Sequence, residues 1–433
     1  MTKLAKRVLA QASVGDLRVA IDARSTGNTR FALGRPSTGG DVQRLQISVT
    51  ASRGAKSATA KGNATDDASL LALVQRAEAM AELSPDNPEH MPPLGTTRID
   101  AVAASDRAAA AMDAGSRADA VQAAIKAANA AGVEVAGYVQ HEARVRVAAD
   151  RAGLLAAHAS TAVSMSTTCR TAKGGSARRT FTSHAAKGLD GGALASEAAK
   201  WAKRSAGASV LQPGRYTVVL APEAVSELLD FLVGALGSRS AMEGRSIWSA
   251  PGGKTKLGEQ LFASSVDLWS DPSHPQHPAS PMTGRGVPQA RTEWIKGGRL
   301  LALTARRYWA DKAGVPLRPR PSSIHLSTGQ SGDVEALVAK VDKGVLVSRF
   351  WYSRMLERRT LTVTGMTRDG TFAIEKGAVS GPVKNFRFND SPVTMLSRLV
   401  AAGTPVRVAG QRVTVVPPIV VEGFNFESLS DAV

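Results

Sequence analysis

Two extended runs, Val133–Ala149 and Leu154–Thr168, follow one another across a short turn, the second rich in Ser and Thr. Runs of this length without helical spacing predict two long neighbouring strands, which already excludes an all-helical architecture. Helical signals flank the pair. Asp66 or Asp67 caps a stretch in which Leu70, Leu71, Val74, Ala77, Met80 and Ala81 recur at three and four residues, and Ser84-Pro85 ends it. Ser116 is the expected cap of another helix, with Asp119 near its third position and Gly132 closing it. Asp190–Ser205 is a further Ala-rich helix carrying Trp201. Ahead of all these, residues 3–14 have helical spacing, Leu17–Asp22 forms a short strand, and after the segment Arg30–Arg35 the alternating Val42–Ala51 makes a half-buried strand.

The chain has 433 residues, more than one comfortable core, and so predicts two domains. At Ser205–Gly214 the composition turns to Gly and Pro, which divides the chain into residues 1–208 and 209–433. Beyond it come an apolar strand, Tyr216–Leu220, and a helix from about Glu223 to Leu236. Residues 271–291 hold most of the local Pro and Gly and read as a long loop. Strand patterns then dominate: Val345–Tyr352, Leu361–Met366, Phe372–Glu375, a turn at Lys376-Gly377, and a return over Ala378–Phe388. Ser391-Pro392 opens a last helix closed by Gly403, and Val413–Val421 is a final strand. The fold class is α+β, an N-terminal α+β domain followed by a mainly β domain with few helices.

Composition excludes several function classes. With 43 % hydrophobic and 21 % charged residues the chain is neither wholly disordered nor fibrous. One cysteine excludes a disulfide framework and any multi-cysteine zinc site. No run approaches the ~18 uncharged apolar residues of a membrane span. The basic N-terminal segment lacks the apolar core and cleavage site of a secretory signal, so the expected location is the cytoplasm. The formal charge of +17 predicts attraction to polyanions or to an acidic partner protein. The basic residues are spread along the chain, Arg178-Arg179 and Arg358-Arg359 being the densest pairs, and no helix-turn-helix, zinc-finger, RNP or KH signature accompanies them. Nucleic acid is therefore not the expected partner.

Apparent metal and nucleophile signals fail on spacing. His141-Glu142 begins like a zinc-protease helix, but no second His follows one turn later, and the alternation through Arg144 and Arg146 predicts a solvated strand surface. His274 and His277 lie among prolines that forbid a helix and read as exposed loop residues. Cys169 has Arg170 beside it, which could lower a thiol pKa, yet no His is assignable as its base, and a plain strand cysteine is the better reading. The Gly-Gly pairs at 174–175, 191–192, 252–253 and 297–298 lack the strand–helix context of a phosphate cradle and read as loops.

Tyr216 through Gly237 (YTVVLAPEAVSELLDFLVGALG) resembles the start of the C-terminal domain in the TldD/PmbA (TldD/TldE) metallopeptidase family. Further segments agree in order: Arg30-Phe31-Ala32, the helix around Leu70–Met80 with Ser84–Pro88, Leu257-Gly258-Glu259, Asp271-Pro272, Gly297–Leu300, and Gly370–Gly377 with Glu375. The likeness spans nearly the whole chain, and colinearity of soft motifs is what makes it specific. The resemblance implies that the active subunit carries an HExxxH helix after this strand and a cysteine near the C-terminus, which together bind zinc. Setting Leu228-Leu229 against the family's leucines puts Asp230 at the first His, Phe231 at the catalytic Glu and Ala235 at the second His. The cysteine position falls around Gln411-Arg412, just before Val416-Pro417, and no cysteine follows Cys169. A lone Asp cannot hold catalytic zinc, which takes three protein ligands and an open position.

The pattern resembles the non-catalytic TldE/PmbA-type subunit, which implies no cofactor in this chain and zinc in a TldD-type partner. It also implies a heterodimer that encloses an unfolded peptide, held as an added strand by backbone hydrogen bonds. Trp351, Tyr352, Arg354, Asn385 and Phe388 are the candidate peptide or partner contacts, Trp, Tyr and Arg being the types that dominate interface energetics. Against this, Trp351 and Phe388 would simply fill the core of the sheet. Two other classes stay open: a hydrolase built on Cys169 with His158 or His184, and a peptide- or nucleic-acid-binding module on the same scaffold.

Overall fold

The computed structural model describes residues 1–410 and 412–430. The N-terminal half contains α1 (Thr2–Ala10), β1 (Asp16–Ala32), β2 (Arg35–Arg53), β3 (Lys56–Gly62), α2 (Asp67–Glu82), α3 (Arg107–Ala110), α4 (Ala114–Ala130), β4 (Glu134–Asp150), β5 (Leu155–Arg170), β6 (Ser176–Ser183) and α5 (Gly191–Arg204). Its strands form one antiparallel sheet in the order β3-β2-β1-β4-β5-β6. The expected long pair is β4 and β5, which run in register from Glu134↔Arg170 to Ala149↔Leu155. The three short pieces expected before α2 are two strands of 17 and 19 residues, β1 and β2, joined as one hairpin. Residues 35–44 are exposed throughout, so that arm carries no apolar alternation to read. Asp66 caps α2 through the Ser69 N–H at 2.8 Å, as expected. The cap of α4 is Asp113, which accepts from the N–H and hydroxyl of Ser116; Ser116 is the third helical residue rather than the cap.

The C-terminal half contains β7 (Gly214–Leu220), α6 (Pro222–Ala235), α7 (Ser238–Met242), β8 (Asp267–Ser270), β9 (Thr292–Lys296), β10 (Arg299–Leu300), α8 (Arg307–Ala313), β11 (Ile324–Ser327), α9 (Val334–Val338), β12 (Lys343–Glu357), β13 (Thr362–Glu375), β14 (Ala378–Pro382), β15 (Phe386–Asp390), α10 (Pro392–Ser397), β16 (Leu399–Ala402), β17 (Val406–Ala409), β18 (Val413–Val416) and β19 (Ile419–Leu429). Two sheets organise it. One runs β10-β9-β8-β11-β18-β17. In the other, β12 bonds both β7 and β13, so β12-β7-β19-β15-β13 closes on itself as a five-stranded barrel, with β14 and β16 attached. Closure removes the free edges that an open sheet exposes. Phe350, Phe386, Phe388, Phe424 and Phe426 pack together within it; the Phe350–Phe388 and Phe386–Phe426 ring centroids are 4.3 and 4.5 Å apart.

Two expected elements divide differently. Val413–Val421 is not one strand: Pro417-Pro418 break it, and β18 and β19 belong to different sheets. The last helix stops at Ser397, because Leu399–Ala402 pair with β19 instead. Lys376-Gly377 is the expected turn, with both residues at positive φ.

Alternation on β7 shows how the halves join. Val218 and Leu220 enter the core with α6, whereas Val219 enters a second core with Leu346, Phe372 and Val420, against Ala198 and Trp201 of α5. Trp201 meets Phe372 edge-on at 5.3 Å. Helix α5 is thus covered on one face by the N-terminal sheet and on the other by the barrel. Gly191 opens it where a Cβ would strike the Ala120 carbonyl of α4, so this Gly-Gly pair is a helix-packing position rather than a loop.

Candidate functional site

Helix α6 lies at the centre of the C-terminal half. Pro222 starts it, its ring pre-set for the first turn. Leu228, Leu229 and Leu232 are fully buried among residues of both sheets. Phe231 and Ala235 are partly buried and pack against the same core, and the Ala235 carbonyl accepts from the Trp248 indole at 2.9 Å. Both are structural residues here.

Asp230 differs. Its side chain is 6 % exposed, no side chain among the described residues donates a hydrogen bond to it, and the backbone N–H of Arg412 faces the carboxylate. Its ion-pair partner is Arg412, whose Nε lies 3.6 Å from Oδ1. The turn between β17 and β18 crosses α6 here: Gly410 lets the backbone approach Ser226, and the Ser226 and Thr414 hydroxyls bond at 2.8 Å. Burial pushes the Asp230 carboxyl up to about 6, against the opposing pull of Arg412 and Arg320. Removal from water costs the charged form more than one guanidinium at 3.6 Å returns.

Positions 230 and 412, which the family resemblance pairs as a zinc ligand and its distant cysteine, therefore do meet in space. Gln411, the other residue at the cysteine position, lies outside the described residues. The side chains present do not fit a dication. One carboxylate is available, Phe231 and Ala235 carry no donor atom, and a guanidinium already lies beside the carboxylate. Among the described residues no group of three or more His, Cys, Asp or Glu is placed to hold a metal ion.

The five candidate contact residues separate. Trp351, Tyr352 and Arg354 form an outer patch: the two rings are 4.7 Å apart, Arg354 lies over Tyr352 at 5.3 Å and Arg368 over Trp351 at 3.9 Å. Tyr352 is 59 % exposed and held at φ +58° in an irregular stretch of the β12–β13 ladder. Asn385 is in a different place, a polar niche where its Oδ1 accepts from Thr367 and Thr371. Phe388 is fully buried in the barrel, which removes it from any contact surface.

Other expectations are corrected by packing. His141 is not a solvated strand residue: it is 4 % exposed, with Nδ1 3.2 Å from the Nη1 of buried Arg117. His274 and His277 are not simply exposed loop residues. They gather on His325, which stacks flat on Trp269 at 4.0 Å and meets His274 edge-on at 4.4 Å. Cys169 is buried, and burial pushes its thiol up to about 11. His158 shares strand β5 with Cys169, eleven residues away and so roughly 36 Å along an extended chain. His184 follows β6, seven residues beyond Ala177, the register partner of Cys169, and so roughly 23 Å away. Neither His158 nor His184 can therefore act as a base on Cys169.

The closed barrel and the buried helix α6 beside it define a protein with the architecture of a metallopeptidase-related family. Residues 213–428 match the PmbA/TldA metallopeptidase C-terminal domain, and the chain belongs to the PmbA/TldD family. No curated protein sequence matches it. Among solved structures it is similar to TldE from Thermococcus kodakarensis, at TM-score 0.86 and 15 % identity over 98 % of both chains. It is also similar to two candidate modulators of DNA gyrase. The one from Bacteroides thetaiotaomicron has TM-score 0.84 and 20 % identity, covering 99 % of this chain and 98 % of that one. The one from Thermotoga maritima has TM-score 0.85 and 17 % identity, covering 98 % and 99 %. No helix among the described residues is long and apolar enough to cross a membrane.

Proposed function

We propose that this chain is the non-catalytic, TldE-type subunit of a two-chain zinc peptidase acting on unfolded peptides in the cytoplasm. A single observation carries the reading: where family members of the active kind hold zinc, Asp230 is paired with the Arg412 guanidinium at 3.6 Å. A fixed cation in that place neutralises the carboxylate but cannot polarise a carbonyl or lower the pKa of a water as a metal does. Catalytic zinc then belongs to a TldD-type partner chain.

The patch of Trp351, Tyr352, Arg354 and Arg368 is the surface we assign to that partner. It combines aromatic and Arg side chains, the types that anchor interfaces, with a strained Tyr352 backbone of the sort retained where function requires it. The charge of +17 suits an acidic partner surface.

The test uses the chain alone and mixed with an HExxxH-bearing family member from the same organism. Alone, it should hold no stoichiometric zinc and cut no peptide. The mixture should form a complex on size exclusion, weaken with rising salt, and cleave an unfolded peptide. About one tightly held zinc per isolated chain, with turnover, overturns the reading, as does failure of every such partner to associate.

A further inference from the structure

The N-terminal sheet has two unlike faces. On one, Ile21 and Val147 join the core of Leu70 and Val74 from α2, and Val139 and Met165 join that of Val121 from α4. The opposite face is covered by an apolar cluster at one end only, where Leu94, Ile99 and Met282 close over Ala148 and Ala156. From Asp22 to Arg30 on β1, and at the positions opposite on β2 and β4, its side chains belong to none of the apolar clusters among the described residues.

Strand register decides what this face carries. Arg24 of β1 stands directly opposite Arg44 of β2 and directly opposite Arg144 of β4, so three arginines occupy one rung across three adjacent strands. Neighbouring strands lie roughly 4.8 Å apart, and like charges directly opposite one another destabilise a sheet. Carboxylates on the adjoining rungs offset part of this: the Arg144 Nε donates to Asp22 at 2.8 Å, and Glu142 lies 3.2 Å from Arg24. With Arg30 and Arg146, five guanidiniums share the face with two carboxylates. Arg30, Arg44 and Arg146 make no ion pair among the described residues, and Arg30 and Arg44 are exposed. Folding alone does not call for an arginine at position 44, since a neutral polar residue there would relieve the rung and lose no partner. An uncompensated basic face is what attraction of an anionic ligand requires.

The rest of the face narrows the ligand. Val42 is the only large aliphatic side chain in these rows, so the apolar centre of a stable protein interface is missing. Single-stranded nucleic acid stacks its bases on aromatic platforms, whereas the only aromatic ring here is Tyr138, with Arg30 already over it at 5.6 Å. Arg24 and Arg30 lie six residues apart on β1, roughly 20 Å, the length of about six extended residues. Asp and Glu side chains on an extended chain would meet the guanidinium forks in charge-assisted pairs.

We propose that this open face of the N-terminal sheet binds an acidic stretch of an extended polypeptide, with Arg44, Arg24 and Arg30 taking its carboxylates. The inference rests on the reading of the chain as a peptide-handling subunit and narrows its substrate class to unfolded peptides rich in Asp and Glu.

Fluorescence anisotropy of the full chain with labelled Glu-Gly-Ser and Lys-Gly-Ser peptides of equal length, and with an oligothymidylate of the same charge as the acidic peptide, tests it. The acidic peptide should bind and weaken with rising salt, and the basic one should not bind. Arg30→Gln with Arg44→Gln should lose roughly tenfold or more. Lys254→Gln with Lys340→Gln removes the same charge at exposed positions in the C-terminal half and should stay within about twofold. Circular dichroism checks the fold of each; should the double arginine variant not fold, Arg44→Gln alone and the acidic-to-basic comparison decide the matter. Oligothymidylate that binds as tightly as the acidic peptide, equal losses in the two double variants, or no acidic-peptide binding at millimolar concentration in low salt overturns the site. So does peptide binding that disappears when a TldD-type chain is added, because the face then belongs to that chain. Failure here alongside a two-chain assembly that cuts peptides removes only the acidic face. Binding here without any partner complex removes only the subunit reading.

Discussion

Acidification should loosen the seam around His325. The ring is 2 % exposed, stacked on Trp269, and its Nε2 lies 3.1 Å from the Ser323 hydroxyl. Burial, then the neighbouring His274, pushes its pKa down to about 3; Arg291 adds to this and Asp271 opposes it. His277 is likewise held at about 3, by burial and then by Arg407, His325, His184 and His274. An unfolded histidine titrates near ~6.5, so below that pH the unfolded chain binds more protons and stability falls, down to the folded pKa near ~3. At pH 5 each ring costs about 2 kcal/mol, or about 4 kcal/mol together. Asp230 works the other way. With its carboxyl raised to about 6, the folded chain binds more protons than the unfolded one between that value and the ordinary 3.8. That returns about 1 kcal/mol by pH 5, so these two histidines win by roughly 3 kcal/mol, and His141, His158 and His184, also held below the usual histidine value by burial, push the same way. Urea unfolding followed by circular dichroism at pH 7.5 and pH 5 measures the difference. His325→Gln keeps a hydrogen-bonding group that cannot titrate, and should remove about half of the loss these two rings cause. A wild-type profile flat between those two pH values, or an undiminished slope in His325→Gln, refutes the reasoning.

Asp230→Asn removes a carboxylate that burial destabilises, and should raise the unfolding free energy from urea titration at pH 7.5 by up to about 3 kcal/mol while changing little at pH 4; a lower stability at pH 7.5 would count against it. Native Cys169 should resist iodoacetamide at pH 8 and react once urea unfolds the chain, as mass spectrometry would record. Gly27→Ala should cost more than about 2 kcal/mol, because its Cβ would run into Arg117, Asp41 and His141, whereas Gly15→Ala, with nothing near it, serves as the control. Trp351→Ala and Arg354→Ala should each weaken association with the proposed TldD-type partner by roughly tenfold or more, measured by titration, and leave the fold intact.

What the amino-acid order determined by itself is local. The Asp66 cap, the α2 stripe, the β4–β5 pair, the Lys376-Gly377 turn and the helix after β7 each follow from interactions within a few residues or from one repeating pattern. That Asp230, Phe231 and Ala235 share one helix was legible too, because the apolar spacing after β7 is continuous. Strands β3 and β6 escaped notice, being short and polar, and so did the exposed arm of β1 and β2. Tertiary structure alone brought His325 to His274 and His277, and Ser226 to Thr414. These partners lie tens to hundreds of residues apart. Whether a charge is paired, orphaned or withdrawn from water is a property of the space around it, and that space exists only once the two halves close on their shared core.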